Sequence, residues 1–129
     1  MLASAYLTVE HYTGSTALAC PEGATINCAK VTTSSWSHIG GIPVADLGLT
    51  YYLAMLVLLL PPAWAHARLD PLRIAAAALG VVMVLYLIWI ELFRVDAICL
   101  WCTAVHICTV ALFAAVLWHT SGLRDARVT

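Results

Sequence analysis

Three long apolar segments alternate with short polar ones from residue 45 onward. They cover about residues 45–64, 72–93 and 97–118, and none contains more than two charged side chains. About 20 apolar residues are needed to cross the hydrocarbon core of a bilayer as a helix. A spanning segment must also pair its backbone N–H and C=O groups internally, which a helix does. The pattern therefore predicts three transmembrane helices over these ranges.

A fourth apolar segment occupies the N-terminus, but it is short. Residues 1–10 contain one charged side chain, and as a helix about nine residues rise only about 13 Å, roughly half a membrane. The segment lacks the basic residues with which a signal peptide begins. We expect it to be the end of a first transmembrane helix whose beginning is missing. A shallow interfacial anchor is the alternative.

A polar segment separates this N-terminal piece from the first full span. Residues 11–44 are rich in Thr, Ser and Gly, with a turn predicted at 20–23, a short helix at 31–39 and a Gly-Gly-Ile-Pro sequence at 40–43 that redirects the chain. The predicted fold is all-α and integral to the membrane. It is one domain, a four-helix transmembrane bundle with an apparently truncated first helix and an extracytoplasmic loop that carries a short half-helix.

The composition agrees with a membrane protein. The 129 residues are 63% hydrophobic and 10% charged, with a mean hydropathy of +0.92, whereas soluble domains carry about 25% charged residues. The chain has too few charges to cover a water-facing surface, so membrane lipid is its expected surrounding. Its net charge of −1 is uninformative about nucleic acid, but the sequence has no basic patch, so nucleic acid is not an expected partner.

The basic residues predict the orientation of the bundle, since cytoplasmic loops are enriched in Lys and Arg. Four of the six lie on one side of the membrane, namely Arg68, Arg73, Arg124 and Arg127. We take that side as cytoplasmic, which makes residues 119–129 a cytoplasmic tail. The loop at 11–44 and the start of the last span then face outward, where disulfides form and persist.

A C-x-x-C motif, Cys99 to Cys102, opens the last apolar segment. A helix N-terminus stabilises a thiolate, and C-x-x-C pairs often have lowered thiol pKa values, which favours redox chemistry. Two buried, unreactive cysteines are one alternative. A metal site that includes His106, one turn later, is another. We expect no metal, because no second C-x-x-C supplies the four ligands of a structural zinc.

A second pair, Cys20 and Cys28, lies in the polar loop. A structural disulfide is a fair interpretation of this pair alone. Two dithiols on one face of a membrane can also exchange a disulfide, since a thiolate of one attacks the other. We therefore predict a relay between the loop pair and the C-x-x-C motif. Cys108, deeper in the last segment, is assigned to packing.

Electrons from a dithiol at the membrane edge need an acceptor, and a lipid quinone is the two-electron acceptor available there. Its pocket needs apolar and aromatic walls with a few polar contacts. Trp36, Trp89 and Trp101 are candidates for those walls. Anchoring at the membrane interface is the alternative for each of them.

These residues together resemble the vitamin K epoxide reductase family, and the chain looks like a bacterial homologue. The resemblance covers residues 6–118 and rests on Tyr6-Leu7-Thr8, Cys20, Cys28, Ser34, Gly41-Ile42-Pro43 and the C-x-x-C motif at 99–102. A C-x-x-C motif alone is a weak signal, but this ordered set is specific.

The resemblance implies a four-helix bundle around a membrane quinone of the ubiquinone, menaquinone or phylloquinone type. It implies that electrons passing to the quinone form the Cys99–Cys102 disulfide, with Cys102 nearest the ring. The loop pair would carry electrons to Cys99 from a thioredoxin-like partner. The residues do not decide which loop cysteine attacks Cys99. We favour Cys20, which leaves Cys28 for the partner.

The resemblance also implies that Ser34 contacts the quinone oxygen, and satisfying the backbone of its own short helix is the alternative. His106, one turn beyond Cys102, is a candidate to face the quinone, because ionisable residues inside a bundle are often functional. Glu91, near the outer membrane boundary, is expected to pair with Arg94.

The predicted function is that of an enzyme, a quinone-dependent thiol oxidoreductase of the bacterial inner membrane. Only eleven residues follow Trp118, so we expect its thioredoxin-fold (DsbA-like) partner to be a separate protein. Oxidising that partner would support disulfide formation in exported proteins. The alternative is a non-enzymatic membrane protein with a Cys/His metal site or a structural disulfide. Reduction of a quinone epoxide would use the same residues and stays open.

Overall fold

The structure is a computed structural model that describes residues 1–13, 20 and 23–129, without the side chains of residues 123 and 124. The predicted turn at 20–23 therefore lies largely outside the described residues. The helices are α1 (Leu2–Thr13), α2 (Cys28–Thr32), α3 (Val44–Leu59), α4 (Pro61–Trp64), α5 (Asp70–Ile90) and α6 (Leu100–Val128). Shorter helical turns are the 3₁₀ turns Ser35–Ser37 and Ala67–Leu69 and the π-helical turn Glu91–Val95. The all-helical fold class is confirmed, apart from one small hairpin.

Two helical segments of the described chain are long and apolar enough to cross a membrane. They are Ala67–Val95 and Leu100–Val128, of 29 residues each. α3 is shorter, with 16 residues, and ends before the predicted residue 64. Leu60 takes an extended conformation, with ψ of 147°, because a residue that precedes a proline is disfavoured in the α region. α6 continues as a helix through the residues predicted to be a tail.

The helices pack around a small core and leave apolar faces outside. α5 packs along α6, while α1 packs against α3 and α6. Met55, Ala77 and Val116 form the centre of the bundle. Only 28% and 17% of the most apolar stretches of the two long segments are buried. A helix that is apolar on all sides belongs in an apolar environment, so these outer faces suit lipid.

The loop before α3 differs from its prediction. α2 covers Cys28–Thr32, with Asn27 as its N-cap, whereas the sequence predicts a helix over 31–39. A hairpin of strands β1 (His38–Ile39) and β2 (Ile42–Pro43) replaces the rest. Gly40 and Gly41 have φ of +60° and +84°, the left-handed conformations that a two-residue hairpin turn needs and that glycine adopts freely.

Arg73 joins elements at the end of the bundle opposite the loop. Its side chain is buried and donates hydrogen bonds to the carbonyl oxygens of Leu58 and Ala63. It also forms an ion pair with Asp70 and lies over the ring of Trp64, 4.7 Å from the centroid. Arg73 therefore ties the start of α5 to the junction of α3 and α4, besides contributing a positive charge.

We expect Arg73→Met to lower the free energy of unfolding by about 2–4 kcal/mol, because two partly buried carbonyl oxygens and Asp70 lose their partner. Arg68→Met is the matched control, since Arg68 is exposed and surface substitutions usually stay within about 0.5 kcal/mol. Denaturant unfolding of the detergent-solubilised protein, followed by circular dichroism, measures both. Equal effects of the two substitutions would show that Arg73 contributes no more than a surface charge.

Candidate active site

Two segments far apart in sequence meet in a short backbone pairing that no sequence pattern indicates. Ile98 donates its N–H to the carbonyl oxygen of Thr25 at 2.9 Å and accepts from the N–H of Asn27 at 3.1 Å, in the manner of parallel strands. Cys28 follows Asn27, and Cys99 follows Ile98. The pairing therefore brings the second loop cysteine beside the first cysteine of the C-x-x-C motif.

The sulfurs of Cys28 and Cys99 both accept hydrogen bonds from the first turn of α6. The N–H of Leu100 donates to Cys28 at 3.3 Å, and the N–H of Cys102 donates to Cys99 at 3.2 Å. Cys28 is 1% exposed and Cys99 is 0% exposed. Free N–H groups and the positive end of the helix dipole stabilise a thiolate. Both sulfurs therefore lie where a negative charge on sulfur is favoured.

The two cysteine pairs differ in oxidation state. A disulfide joins Cys20 to Cys28, whereas Cys99 and Cys102 are thiols. Cys99 is the N-cap of α6 and precedes the membrane helix. A hydrogen bond from the Cys102 thiol lowers the pKa of the Cys99 thiol, although burial acts in the opposite direction. A thiol of low pKa leaves readily in disulfide exchange, which suits Cys99 to a position where exchange occurs.

An apolar cavity of about 130 Å³ adjoins the C-x-x-C motif and is enclosed by α1, the loop, α3, α5 and α6. Four of the predicted site residues line it, namely Ser34, Trp36, Cys102 and His106. Its lining also includes His11 and Glu91, which the sequence analysis does not assign to the site. Apolar walls with a few convergent polar groups are typical of a ligand site.

The sequence model of the Vitamin K epoxide reductase family matches residues 1–117. The chain belongs to this family. The resemblance carried by the cysteine pairs, the serine and the Gly-Ile-Pro sequence is thereby confirmed. Members of the family are membrane oxidoreductases that use quinones. No curated protein and no solved structure gives a significant match to the chain.

The serine that matches the family pattern already has a hydrogen-bond partner. Ser34 lines the cavity, but its hydroxyl donates to the carbonyl oxygen of Val31 at 2.9 Å. This is the local bond that serine often makes near a helix end. The Ser34 oxygen keeps its accepting capacity, whereas donation to a ligand would require the bond to Val31 to break.

Trp101, a candidate for the cavity wall, and Cys108, assigned to packing, both point away from the cavity. Trp101 packs on Tyr6 of α1, with 4.9 Å between ring centroids, and does not line the cavity. Consecutive helical residues point in different directions, because a turn contains 3.6 residues. Trp101 therefore faces α1 where Cys102 faces the cavity. Cys108 is exposed on the outside of α6, so the prediction that it packs inside is wrong.

The predicted pairing of Glu91 with Arg94 is also wrong. The Arg94 guanidinium lies over the rings of Trp36 and Trp89, 5.4 and 5.1 Å from their centroids, and Trp89 is thereby engaged away from the cavity. Glu91 is buried, with its carboxylate within hydrogen-bonding reach of the Cys99 backbone N–H. Glu91 and Arg94 both lie on a π-helical turn, a wide turn that frequently occurs at functional sites. An acidic residue in an apolar segment is the sequence signal that marks Glu91.

Proposed function

We propose that the protein is a quinone-dependent thiol oxidoreductase, which takes electrons from a thioredoxin-like partner and passes them through two cysteine pairs to a membrane quinone. One observation carries the proposal. The buried sulfurs of Cys28 and Cys99 share the N-terminus of α6, while Cys102, one turn further, lines the apolar cavity. The C-x-x-C motif thus joins the site of disulfide exchange, at Cys99, to the cavity that would hold the electron acceptor, at Cys102.

The cavity fits the ring of a membrane quinone. Its lining is mostly apolar, with Ser34 and His106 as polar contacts and Trp36 as an aromatic wall. At about 130 Å³ it is smaller than a typical ligand pocket of about 300–1,000 Å³, so it would enclose a ring and leave a lipid tail outside. When bound, a quinone of the ubiquinone, menaquinone or phylloquinone type supplies an acceptor for two electrons and two protons.

We propose that Cys28 attacks Cys99 and that Cys20 reacts with the partner, which is the reverse of the roles favoured on sequence grounds. Cys20 is more exposed than Cys28, so the partner's thiolate attacks Cys20 and releases Cys28 as a thiolate. Cys28 then attacks Cys99, and Cys102 leaves as a thiolate. The partner's second thiol frees Cys20, which attacks Cys28 and leaves Cys99 reduced.

Each of these exchanges breaks one S–S bond and forms one. Two electrons and two protons pass from the partner dithiol to Cys99 and Cys102, and the loop disulfide is restored. Re-forming the Cys99–Cys102 disulfide then releases two electrons and two protons in the cavity.

The location of the exchange determines the biological setting that we propose. Cys28, Cys99 and Cys102 lie at the N-terminal end of α6. The distribution of Lys and Arg supports an extracytoplasmic position for that end, which we assign to a bacterial inner membrane. The partner is a separate thioredoxin-fold protein of that compartment. Its oxidation supports disulfide formation in exported proteins.

The alternative is a non-enzymatic membrane protein whose cysteines hold a metal or fasten the loop. The disulfide between Cys20 and Cys28 fits a fastening role. Within residues 1–13, 20 and 23–129, however, no three or more His, Cys, Asp or Glu side chains are grouped to hold a metal ion. A fastening role also does not explain why Cys102 lines the cavity.

Purified protein in liposomes, supplied with ubiquinone or menaquinone and a reduced DsbA-like protein, tests the proposed function. We expect hydroquinone and oxidised partner to form in equal amounts, and only when both substrates are present. The decisive negative result is a loop disulfide that the partner does not reduce, together with no hydroquinone from either quinone. That result would favour the fastening role.

A further inference from the structure

We propose that Glu91 is the proton-carrying group of this site, and the inference rests on the proposed function. Glu91 binds a proton when the Cys99–Cys102 disulfide opens and gives it up when the disulfide re-forms. Among the described residues, it is the one acidic side chain that lines the cavity with Cys102. It is 6% exposed and has no ion-pair partner in the described part of the chain. Burying a carboxyl group without a counter-charge is costly, and such groups cluster at functional sites.

Glu91 lies close to both cysteines of the C-x-x-C motif. Its carboxylate lies within hydrogen-bonding reach of the Cys99 backbone N–H. Its side chain also lines the same apolar cavity as Cys102, so a negative charge on one of the two groups disfavours a negative charge on the other. The protonation of Glu91 is therefore coupled to whether the two sulfurs are joined, protonated or ionised.

Glu91 also lies in the wall between two cavities. With His106, it lines both the inner cavity and a larger groove of about 600 Å³ between α5 and α6. No other described residue lines both of these spaces. His106 is thus the titratable group placed to exchange a proton with Glu91 at this boundary.

Opening the disulfide creates the need for a proton. When Cys28 attacks Cys99, the leaving Cys102 thiolate stands near Glu91, and two neighbouring negative charges in an apolar space favour protonation of one of them. The proton comes from the partner dithiol, whose S–H bond breaks when its attacking thiolate forms, and a carboxyl O–H bond forms on Glu91. When the two sulfurs join again, their electron pair leaves for the quinone. The Cys99 S–H bond and the Glu91 carboxyl O–H bond both break, so that two electrons and two protons leave together into the cavity.

A purely structural role is the alternative, because the Glu91 carboxylate is also close enough to the backbone N–H of Cys99 to accept a hydrogen bond from it. Glu91→Gln separates the two roles. The amide oxygen of Gln can still accept that hydrogen bond, but the side chain cannot exchange a proton. Glu91→Asp keeps the acid on a shorter side chain. A capping role therefore tolerates Gln, whereas a proton-carrying role is retained in part by Asp.

Infrared difference spectroscopy of quinone-free protein in detergent provides the first readout. Reduction with dithiothreitol is expected to produce a protonated-carboxyl signal in the wild type and in Glu91→Asp, and none in Glu91→Gln. The titratable groups that face Glu91 are His11 on α1 and Cys99, Cys102 and His106 at and in α6. None of them is a carboxyl group, so the signal is specific. A wild type without the signal, or a signal that persists in Glu91→Gln, overturns the proposal.

Quinone reduction by the same variants provides the second readout. A positioned proton-transfer group contributes about 10²–10⁴-fold to a rate, so Glu91→Gln should slow single-turnover quinone reduction by about 100-fold or more and flatten its pH dependence. Glu91→Asp should recover part of the rate, and exchange between the partner and the loop pair should stay unchanged. Turnover of Glu91→Gln at the wild-type rate overturns this inference alone. An inactive wild type counts against the proposed function, and the infrared signal then still decides the role of Glu91.

Discussion

Replacing Cys102 with alanine is expected to reduce quinone reduction by about 10³-fold or more, because residues that act together in covalent catalysis have effects of at least this size. Cys102 is the cysteine of the C-x-x-C motif that lines the cavity. Without it, Cys99 has no sulfur with which to close a disulfide and release electrons. Hydroquinone formation in liposomes, with excess reduced partner, measures the loss.

Cys108→Ala is the matched control for this experiment. Cys108 is a cysteine of the same helix, but it is exposed on the outside of α6 and lines neither cavity. We expect Cys108→Ala to turn over at close to the wild-type rate. Similar rates for the Cys102 and Cys108 variants would mean that the electron path does not pass through the C-x-x-C motif.

A Cys20→Ser variant is expected to accumulate a disulfide between Cys28 and Cys99. Cys28 remains as a thiol beside the first turn of α6, where the Leu100 N–H holds its sulfur at 3.3 Å. It can attack an oxidised C-x-x-C motif, and no Cys20 is left to reverse the reaction. Alkylation of the released Cys102 with a maleimide traps the product. We expect peptide mapping under non-reducing conditions to find the Cys28–Cys99 disulfide in most of the protein molecules.

The reciprocal Cys28→Ser variant provides the control for this trapping experiment. It leaves Cys20 as the loop thiol, whereas the backbone pairing of Thr25 and Asn27 with Ile98 leads directly to Cys28. We expect little disulfide between Cys20 and Cys99 under the same conditions. A dominant Cys20–Cys99 disulfide would instead support the order of attack favoured on sequence grounds.

The helices could be predicted because apolar length and helix-ending residues are local properties of the sequence. The two long segments follow from runs of apolar residues, and the end of α3 at Leu59 follows from Pro61. The sequence does not predict the hairpin, because Gly40-Gly41 indicates a break in the chain but not the left-handed conformation of both glycines. Trp36, which precedes the hairpin, lines the cavity.

The directions of individual side chains were harder to predict. Glu91 and Arg94 are three residues apart, a spacing that favours an ion pair on a regular helix. The π-helical turn changes their relative directions, so that Arg94 meets Trp36 and Trp89 while Glu91 faces the cavity. Trp101 likewise looked suitable for a quinone wall, but its contact is with Tyr6.

By itself, the sequence determined that the protein is a helical membrane protein of the vitamin K epoxide reductase family with two cysteine pairs. Apolar segment length, cysteine spacing and an ordered set of motif residues suffice for that conclusion. Only the tertiary structure decided that Cys28 lies beside the motif, that Cys102 faces a cavity and that Glu91 shares it. These features depend on a pairing between Ile26 and Ile98 and on how α5 meets α6. Contacts between segments about 70 residues apart leave no pattern in a single sequence.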